Sequence, residues 1–277
     1  MLTDLLIRNW RYLPARLWRK IVLGLDPERL AVFTLDDGSR FECSLKDSTG
    51  RLLTLNALET TERGFVRQRL QPGDTFVDVG ANRGLYSVVA ARRVGPAGRV
   101  LAFEPSPREI NYLKRNLGHN QLANVTVVAA AVGAQAGRAD LLVAADGGLN
   151  SLARTEHPEQ VAQSTQPVDV SALDDYLAEH SVGRVHFMKI DVEGAEAEVL
   201  RGAAGLLTGP HPPIILCEFC DATAAGFGSS GHALYQAFES YGFALHALSP
   251  TASGAVELVP APPQPHYELE NLVAIHV

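Results

Sequence analysis

The chain has 277 residues, of which 46% are hydrophobic and 20% are charged, so it can bury a sizeable core and has the composition of a globular protein. Its formal net charge is -7 and its sequence pI is about 5.7. Because binding to phosphates requires a basic surface, this charge balance argues against a nucleic-acid partner.

Residues 1–25 interleave leucine, isoleucine and tryptophan with basic residues. Such a composition is typical of an amphipathic helix, and we expect its apolar stripe to dock on the main domain in preference to a membrane surface. The same apolar positions would equally suit contact between two copies of the chain, so a homodimer is a further alternative. The chain has no apolar run near the roughly 18 residues of a membrane span and no signal-peptide pattern, and its three cysteines cannot all pair. We therefore expect a cytoplasmic protein.

The stretch "AVFTLDDGSRFECSL", residues 31–45, alternates around Asp37-Gly38, a pair that predicts a tight β-hairpin. A helical pattern around "LETTERGFVRQRL" follows, and "QPGD" then marks a boundary. We therefore predict an appendage over residues 1–70, made of an N-terminal helix and a small hairpin, and a main domain over residues 71–277.

From Asp74 onward, apolar strand patterns alternate with helical patterns in two rounds. This alternation predicts a doubly wound α/β fold, in which helices cover both faces of a mostly parallel sheet. The strands "TFVDVG", "VLAFEP" and "FMKIDV" should end along one edge, where such sheets bind ligands. Between the rounds, residues 144–170 are rich in glycine and polar residues, and the sequence leaves open whether they form a lid or a disordered insert.

The loop after the first of these strands contains Asp78, Gly80, Asn82 and Gly84. A dinucleotide-binding fingerprint needs a second glycine where Asn82 stands, so the loop does not match a pyrophosphate cradle. Gly80 and Gly84 permit a close backbone approach, and Asp78 offers a carboxylate to a cation or a hydrogen-bond donor.

Glu104 ends the next strand, about 20 residues beyond the glycine loop, at a position that suits hydrogen bonds from a ribose diol. Together, Glu104 and the loop indicate a nucleoside that carries a positively charged group and no pyrophosphate. S-adenosylmethionine has these features, and we predict it as the cofactor.

A third stretch, "FMKIDVEGAEAEVLRGA", places Asp191 at a strand tip beside the same edge. A carboxylate there can orient or deprotonate an acceptor hydroxyl, with Glu193 as the second choice. Both Glu193 and Glu196 also suit the positive end of a helix dipole, which is the alternative role for these two acids. A metal-assisted alternative would use Asp191, Glu193 and Glu218 as oxygen ligands. We favour a metal-free site. The pattern does not decide whether Lys189 lines the site.

Four motifs, "DVGANRGLYS", "AFEPSPREINYLKRNLGHN", "VSALDDYL" and "MKIDVEGAEAEVLRGA", resemble in this order the FkbM family of S-adenosylmethionine-dependent methyltransferases. The resemblance covers about residues 60–277. It implies a class I, Rossmann-like methyltransferase fold with a seven-stranded sheet and a terminal antiparallel hairpin. It also implies O-methylation of a hydroxyl on a sugar, a polyketide or another natural product, and hence a small-molecule or glycosyl acceptor.

The matching positions are divided between two parts of the family pattern. Asp78, Gly80, Asn82 and Gly84 match the cofactor loop and Glu104 matches the ribose-binding acid. The remaining matches belong to the acidic "DVEGAE" signature and comprise Asp191, Glu193 and Glu196.

Two other functions stay under consideration. An NAD-dependent oxidoreductase on a similar sheet would need the glycine triplet that Asn82 interrupts. A non-catalytic methyltransferase-like binding module would show a damaged cofactor loop or would lack the Asp191 cluster. This sequence has an intact loop and an intact cluster.

Overall fold

The structure is a computed structural model that describes residues 30–44, 48–54, 58–145, 147–156 and 161–277. The amphipathic helix predicted over residues 1–25 lies outside the described residues.

The described strands and helices follow one another along the chain as the alternation predicts. The strands are β1 (Leu30–Thr34), β2 (Arg40–Ser44), β3 (Thr75–Val79), β4 (Arg99–Phe103), β5 (Val125–Val128), β6 (Ala131–Val132), β7 (Gly137–Ala144), β8 (Ala162–Ser171), β9 (Phe187–Ile190), β10 (Ile214–Phe219), β11 (Phe243–Pro250), β12 (Val256–Pro260) and β13 (Glu270–His276). The helices are α1 (Ser48–Thr54), α2 (Thr60–Arg69), α3 (Leu85–Val94), α4 (Pro107–His119), α5 (Leu173–Glu179), α6 (Glu196–Gly202), α7 (Ala204–Thr208), α8 (Asp221–Ala224) and α9 (Gly231–Ser240). Among these described helices, none combines the length and the apolar character needed to cross a membrane.

The large sheet has the strand order β12-β11-β13-β10-β9-β3-β4-β5. The strands β5, β4, β3, β9 and β10 run parallel, and β13 is antiparallel to both β10 and β11. This is a class I methyltransferase-like α/β fold, as predicted. The predicted count of seven strands is wrong by one, because β12 pairs antiparallel with β11 and adds an edge strand.

Helices cover both faces of this sheet because successive side chains of a buried strand point in opposite directions. Val79 and Ile190 belong to the apolar cluster on one face, whereas Phe76 and Phe187 belong to the cluster on the other face with α2 and α3. The same alternation turns Asp78 and Lys189 towards the face of Phe76 and Phe187.

A second, three-stranded sheet has the order β6-β8-β7. Its strand β8 contains residues 162–170 of the segment for which the sequence leaves a lid or a disordered insert open, so disorder is wrong for this part. Most of β8 is exposed, which explains why it lacks the apolar alternation that marks a half-buried strand.

The predicted hairpin is confirmed by the antiparallel pair β1-β2. The edge of β2 is hydrogen-bonded by two side-chain amides, one within α4 and one in the residue that follows it. Asn116 Oδ1 accepts from the Glu42 N–H at 2.6 Å, and Asn120 Oδ1 accepts from the Arg40 N–H at 2.8 Å. The hairpin is thereby held against the main domain, close to the loop that begins α3.

Candidate active site

The carboxyl ends of β3, β4 and β9 meet at a cavity of about 230 Å³. Five of the predicted site residues line it, namely Gly80, Asn82, Glu104, Asp191 and Glu193. Asp78 and Gly84 lie outside this lining. The structure therefore brings most of the predicted residues together, although they come from three separate stretches of sequence.

The two glycines of the loop are required by close packing. Gly80 has a φ of +78°, and a Cβ at this position would lie 1.8 Å from the Asp191 carbonyl oxygen. Gly84 has a φ of +86°, and a Cβ there would lie 2.2 Å from Leu113 Cδ1. Gly80 thus allows the loop to touch the end of β9, whereas Gly84 supports the packing of α3 on α4.

The backbone N–H groups of residues 80–84 are all used within the protein. Their acceptors, at distances of 2.7–3.0 Å, are the carbonyl oxygens of Phe103 and Ala81, Oδ1 of Asn82 and the Glu104 carboxylate. A pyrophosphate-binding loop directs such N–H groups at its ligand. Because the N–H groups of residues 80–84 are already engaged, they are not directed at a pyrophosphate.

Glu104 is held by two backbone N–H groups on the pocket wall. Its Oε2 accepts from Asn82 and its Oε1 accepts from Ser106, both at 2.8 Å. The side chain is buried, and this burial raises the pKa of Glu104 to about 7. A carboxylate has about four acceptor positions, and two of them are used. Glu104 can therefore still accept hydrogen bonds from two hydroxyl groups.

Asp78 lies behind the pocket, opposite Lys189 in the register of β3 and β9. Its Oδ2 accepts from the Ser87 hydroxyl at 2.6 Å, and burial raises the pKa of Asp78. The sequence predicts that the positively charged group of the ligand lies near this carboxylate. The structure shows that the protein itself supplies a cation there, in Lys189.

The sequence leaves open whether Lys189 lines the site, and the structure shows that it lines the pocket. Its Nζ lies 2.5 Å from Asp191 Oδ2 and 4.9 Å from the centre of the Tyr86 ring. Burial opposes the charge of Lys189, but the carboxylates of Asp191, Glu59 and Asp78 outweigh burial and raise its pKa. The raised pKa favours the charged form of Lys189 in the wall of the pocket.

Three carboxylates converge beside this cation. Oxygen atoms of Asp191, Glu193 and Glu218 lie within 4.8 Å of one another. Burial, reinforced by the nearby Asp191, raises the pKa values of Glu193 and Glu218 well above their ordinary range. Such spacing suits the oxygen ligands of a hard divalent cation, and protons retained on Glu193 and Glu218 relieve the same repulsion.

Glu196, the third acid of the signature, has a structural position. Its Oε1 accepts from the N–H groups of Val192 and Gly194 at 3.1 and 3.2 Å, which closes the turn before α6. Burial raises the pKa of Glu196 to about 7. Glu196 therefore shapes the turn that carries Glu193.

Sequence reasoning missed the part of the site that comes from other segments. Glu59, which precedes α2 with a φ of +44°, and Tyr86 of α3 both line the pocket. Burial raises the pKa values of both side chains, and the Glu59 carboxylate raises that of Tyr86 further. The appendage also contributes Phe41 and Leu58 to the wall. No local motif marks Phe41, Leu58 or Glu59, because only the packing of the residues before β3 brings them to the pocket. Tyr86, by contrast, lies within the motif "DVGANRGLYS", which does not show that its ring faces the pocket.

Comparisons with known proteins agree with this geometry. The Methyltransferase FkbM domain matches residues 78–245. Over 175 residues the chain is 33% identical to Methyltransferase 1 of Beauveria bassiana (strain ARSEF 2860). This alignment covers 54% of this chain and 67% of that protein. Over 173 residues it is 30% identical to 31-O-demethyl-FK506 methyltransferase FkbM of Streptomyces tacrolimicus, which covers 51% of this chain and 65% of that protein. The chain thus spans just under two thirds of the Streptomyces relative.

Among solved structures, the O-methyltransferase TomG from Streptomyces achromogenes in complex with SAM matches with a TM-score of 0.47 and 12% identity, over 80% of this chain and 81% of that chain. A likeness at that level carries no argument about chemistry. The domain match, by contrast, covers more than half of this chain and includes the cofactor loop, Glu104 and the acidic signature. The chain therefore belongs to the FkbM methyltransferase family.

Proposed function

We propose that the protein transfers a methyl group from S-adenosylmethionine to a hydroxyl oxygen of a natural product or a glycosyl acceptor. The observation that carries the proposal is that Glu104 and Asp191 line one pocket in a methyltransferase domain. Transfer to oxygen is supported by the name of the Streptomyces relative, a 31-O-demethyl-FK506 methyltransferase.

The cofactor half of the pocket lies between the glycine loop and Glu104. We expect Glu104 to accept hydrogen bonds from the ribose hydroxyls, since two backbone N–H groups already fix its orientation. The engaged N–H groups of the loop suit a ligand without a pyrophosphate. Asp78 supports this half indirectly, through Ser87 and the charge of Lys189. When bound, S-adenosylmethionine supplies an electrophilic methyl group.

The acceptor half lies around Asp191. One carboxylate oxygen of Asp191 pairs with Lys189, so the other can accept the proton that the acceptor hydroxyl releases. Glu193, whose raised pKa favours a retained proton, suits a hydrogen bond to the acceptor better than proton abstraction. Holding the acceptor oxygen in this way accelerates methyl transfer through proximity and orientation.

We propose that the reaction does not need a metal. The Lys189 ammonium pairs with Asp191, and burial together with the nearby Asp191 raises the pKa values of Glu193 and Glu218, which favours their neutral forms. Turnover that is unchanged by EDTA supports this proposal, whereas turnover restored only by added Mg²⁺ would assign a cation to the three carboxylates.

The cofactor is tested by isothermal titration calorimetry with S-adenosylhomocysteine and NAD, on the wild type and on Glu104→Ala. We expect micromolar binding of S-adenosylhomocysteine, weakened at least tenfold, or about 1.4 kcal/mol, in the variant. Glu239→Ala, which removes an exposed glutamate of α9, serves as the matched control. Absence of S-adenosylhomocysteine binding by a folded wild type would favour the non-catalytic function, and binding of NAD instead would favour the oxidoreductase.

A further inference from the structure

Residues 147–152, called the strap below, cross the pocket between the cofactor loop and the acidic cluster. We propose that Asn82 is a positioning residue that fixes the strap over the pocket, and that its side chain is not a cofactor ligand. The predicted effect on cofactor affinity rests on the proposed function, but the predicted effect on the strap does not.

Asn82 joins three parts of the site. Its N–H donates to Glu104 Oε2 at 2.8 Å, its Oδ1 accepts from the Arg83 N–H at 2.7 Å, and its Nδ2 donates to the Gly147 carbonyl oxygen at 3.0 Å. Both ends of the side-chain amide are thus engaged by the protein. The amide connects the cofactor loop to the strap, and the backbone of the same residue orients Glu104.

The strap is also anchored at its other end. The Ser151 hydroxyl donates to the Glu193 carbonyl oxygen at 2.8 Å, and Leu142 pairs with Ser151 through backbone hydrogen bonds. Gly147 packs so closely on Glu109 that a Cβ would lie 2.1 Å from Glu109 Oε1. Asn82 therefore holds the end of the strap next to Glu104, and Ser151 holds the end next to Glu193.

The backbone of residue 82 explains why asparagine suits this position. Its φ of +48° lies in the left-handed region, which asparagine tolerates better than most residues that have a Cβ. Aspartate can keep the bond from the Arg83 N–H but cannot donate to the Gly147 carbonyl oxygen while ionised. Glycine can keep the backbone conformation without either side-chain bond. The two substitutions separate the amide contact from the backbone conformation.

The test combines hydrogen exchange of the ligand-free protein with calorimetric titration of S-adenosylhomocysteine, on Asn82→Asp, Asn82→Gly and Asn124→Asp. Asn124 is the matched control, because its Nδ2 also donates to backbone carbonyl oxygens, those of Ala91 and Gly95, at 3.0 and 2.9 Å. In both Asn82 variants we expect exchange in the strap to rise about threefold to tenfold and affinity to fall by a similar factor, as for one lost hydrogen bond. Asn124→Asp should change neither.

Three other outcomes would overturn the proposal. Weaker binding by Asn82→Asp with unchanged exchange in the strap would make the amide a direct ligand contact. Unchanged exchange and affinity in both Asn82 variants would mean that asparagine serves only the backbone conformation of the turn. Equal effects of Asn124→Asp would indicate general destabilisation. If the wild type binds no S-adenosylhomocysteine, the proposed cofactor fails, while exchange in the ligand-free variants still decides the role of Asn82.

Discussion

Gly80 is the residue at which the cofactor loop touches the strand end that carries Asp191. Because a Cβ there would lie 1.8 Å from the Asp191 carbonyl oxygen at a φ of +78°, alanine adds both a clash and backbone strain. We expect Gly80→Ala to lower the free energy of unfolding by about 2–4 kcal/mol, as measured by urea denaturation. The control is Gly118→Ala on α4, where a Cβ meets nothing within 4 Å. A loss below about 0.5 kcal/mol for Gly80→Ala would contradict the contact.

Asp191 is the residue on which the proposed chemistry depends most. Asp191→Asn keeps the shape of the side chain but removes the charge that accepts a proton and pairs with Lys189. We expect kcat to fall by about 10²–10⁴ on an acceptor found by screening, measured as released S-adenosylhomocysteine. Glu218→Gln, in the same cluster, is the matched acid-to-amide control and should have the smaller effect. Near wild-type turnover by Asp191→Asn would exclude the general-base role.

At the scale of elements, the contact between the hairpin and α4 decides whether the appendage forms a wall of the site. Asn116 is fully buried, accepts from the Glu42 N–H at 2.6 Å and donates to the Arg83 carbonyl oxygen at 2.9 Å. We expect Asn116→Ala to lower the free energy of unfolding by about 2–3 kcal/mol, because it removes the hydrogen bonds that the buried amide makes with the Glu42 N–H and the Arg83 carbonyl oxygen. Hydrogen exchange should accelerate across residues 40–44, and urea denaturation gives the stability.

Arg138→Ala is the control for this prediction. It removes an ion pair with Asp169 at 3.2 Å in which both side chains are mostly exposed, so the expected loss is below about 0.5 kcal/mol. If Asn116→Ala were equally mild and left exchange in residues 40–44 unchanged, the amide would not be what holds the hairpin.

Local signals determine how far each element could be predicted. The sequence predicts the hairpin because Asp37-Gly38 specifies its turn, and it predicts the parallel strands because most of their residues are apolar. The sequence does not reveal β8 and β12, because most residues of both strands are exposed and neither strand shows a clear apolar alternation. Strands of that kind are stabilised by pairing with distant segments, which local patterns do not show.

For the whole molecule, buried acids determine how stability depends on pH. Burial raises the pKa values of Glu104 and Glu196 from an ordinary 4.5 to about 7, so their neutral forms stabilise the fold below pH 4.5. This contribution is lost as the pH rises from 4.5 through 7. Burial opposes ionisation of Asp36, Glu42 and Asp221 too, but their ion pairs and hydrogen bonds outweigh it and lower these pKa values. Their contribution has the opposite sign and is lost as the pH falls below about 4.

We therefore expect the free energy of unfolding to be greatest near pH 5 and to decrease by a few kcal/mol towards pH 8. Urea denaturation at pH 5, 6, 7 and 8 measures this profile. Glu196→Gln, which keeps an acceptor for the Val192 and Gly194 N–H groups, should flatten the decrease, whereas the exposed control Glu179→Gln should not. A flat wild-type profile would contradict the raised pKa values.

The sequence alone determined the family, the alternation of strands and helices, and the residues that meet at the strand ends. It could do so because each of these depends on local patterns, such as an apolar strand followed by a glycine loop or an acid at a strand tip. Only the tertiary structure decided that Lys189 faces the site, that Asp78 lies behind it, and that Glu59 and Tyr86 complete it. These facts depend on contacts between distant segments and on burial, because burial and neighbouring charges set the pKa values that determine each carboxyl group's role.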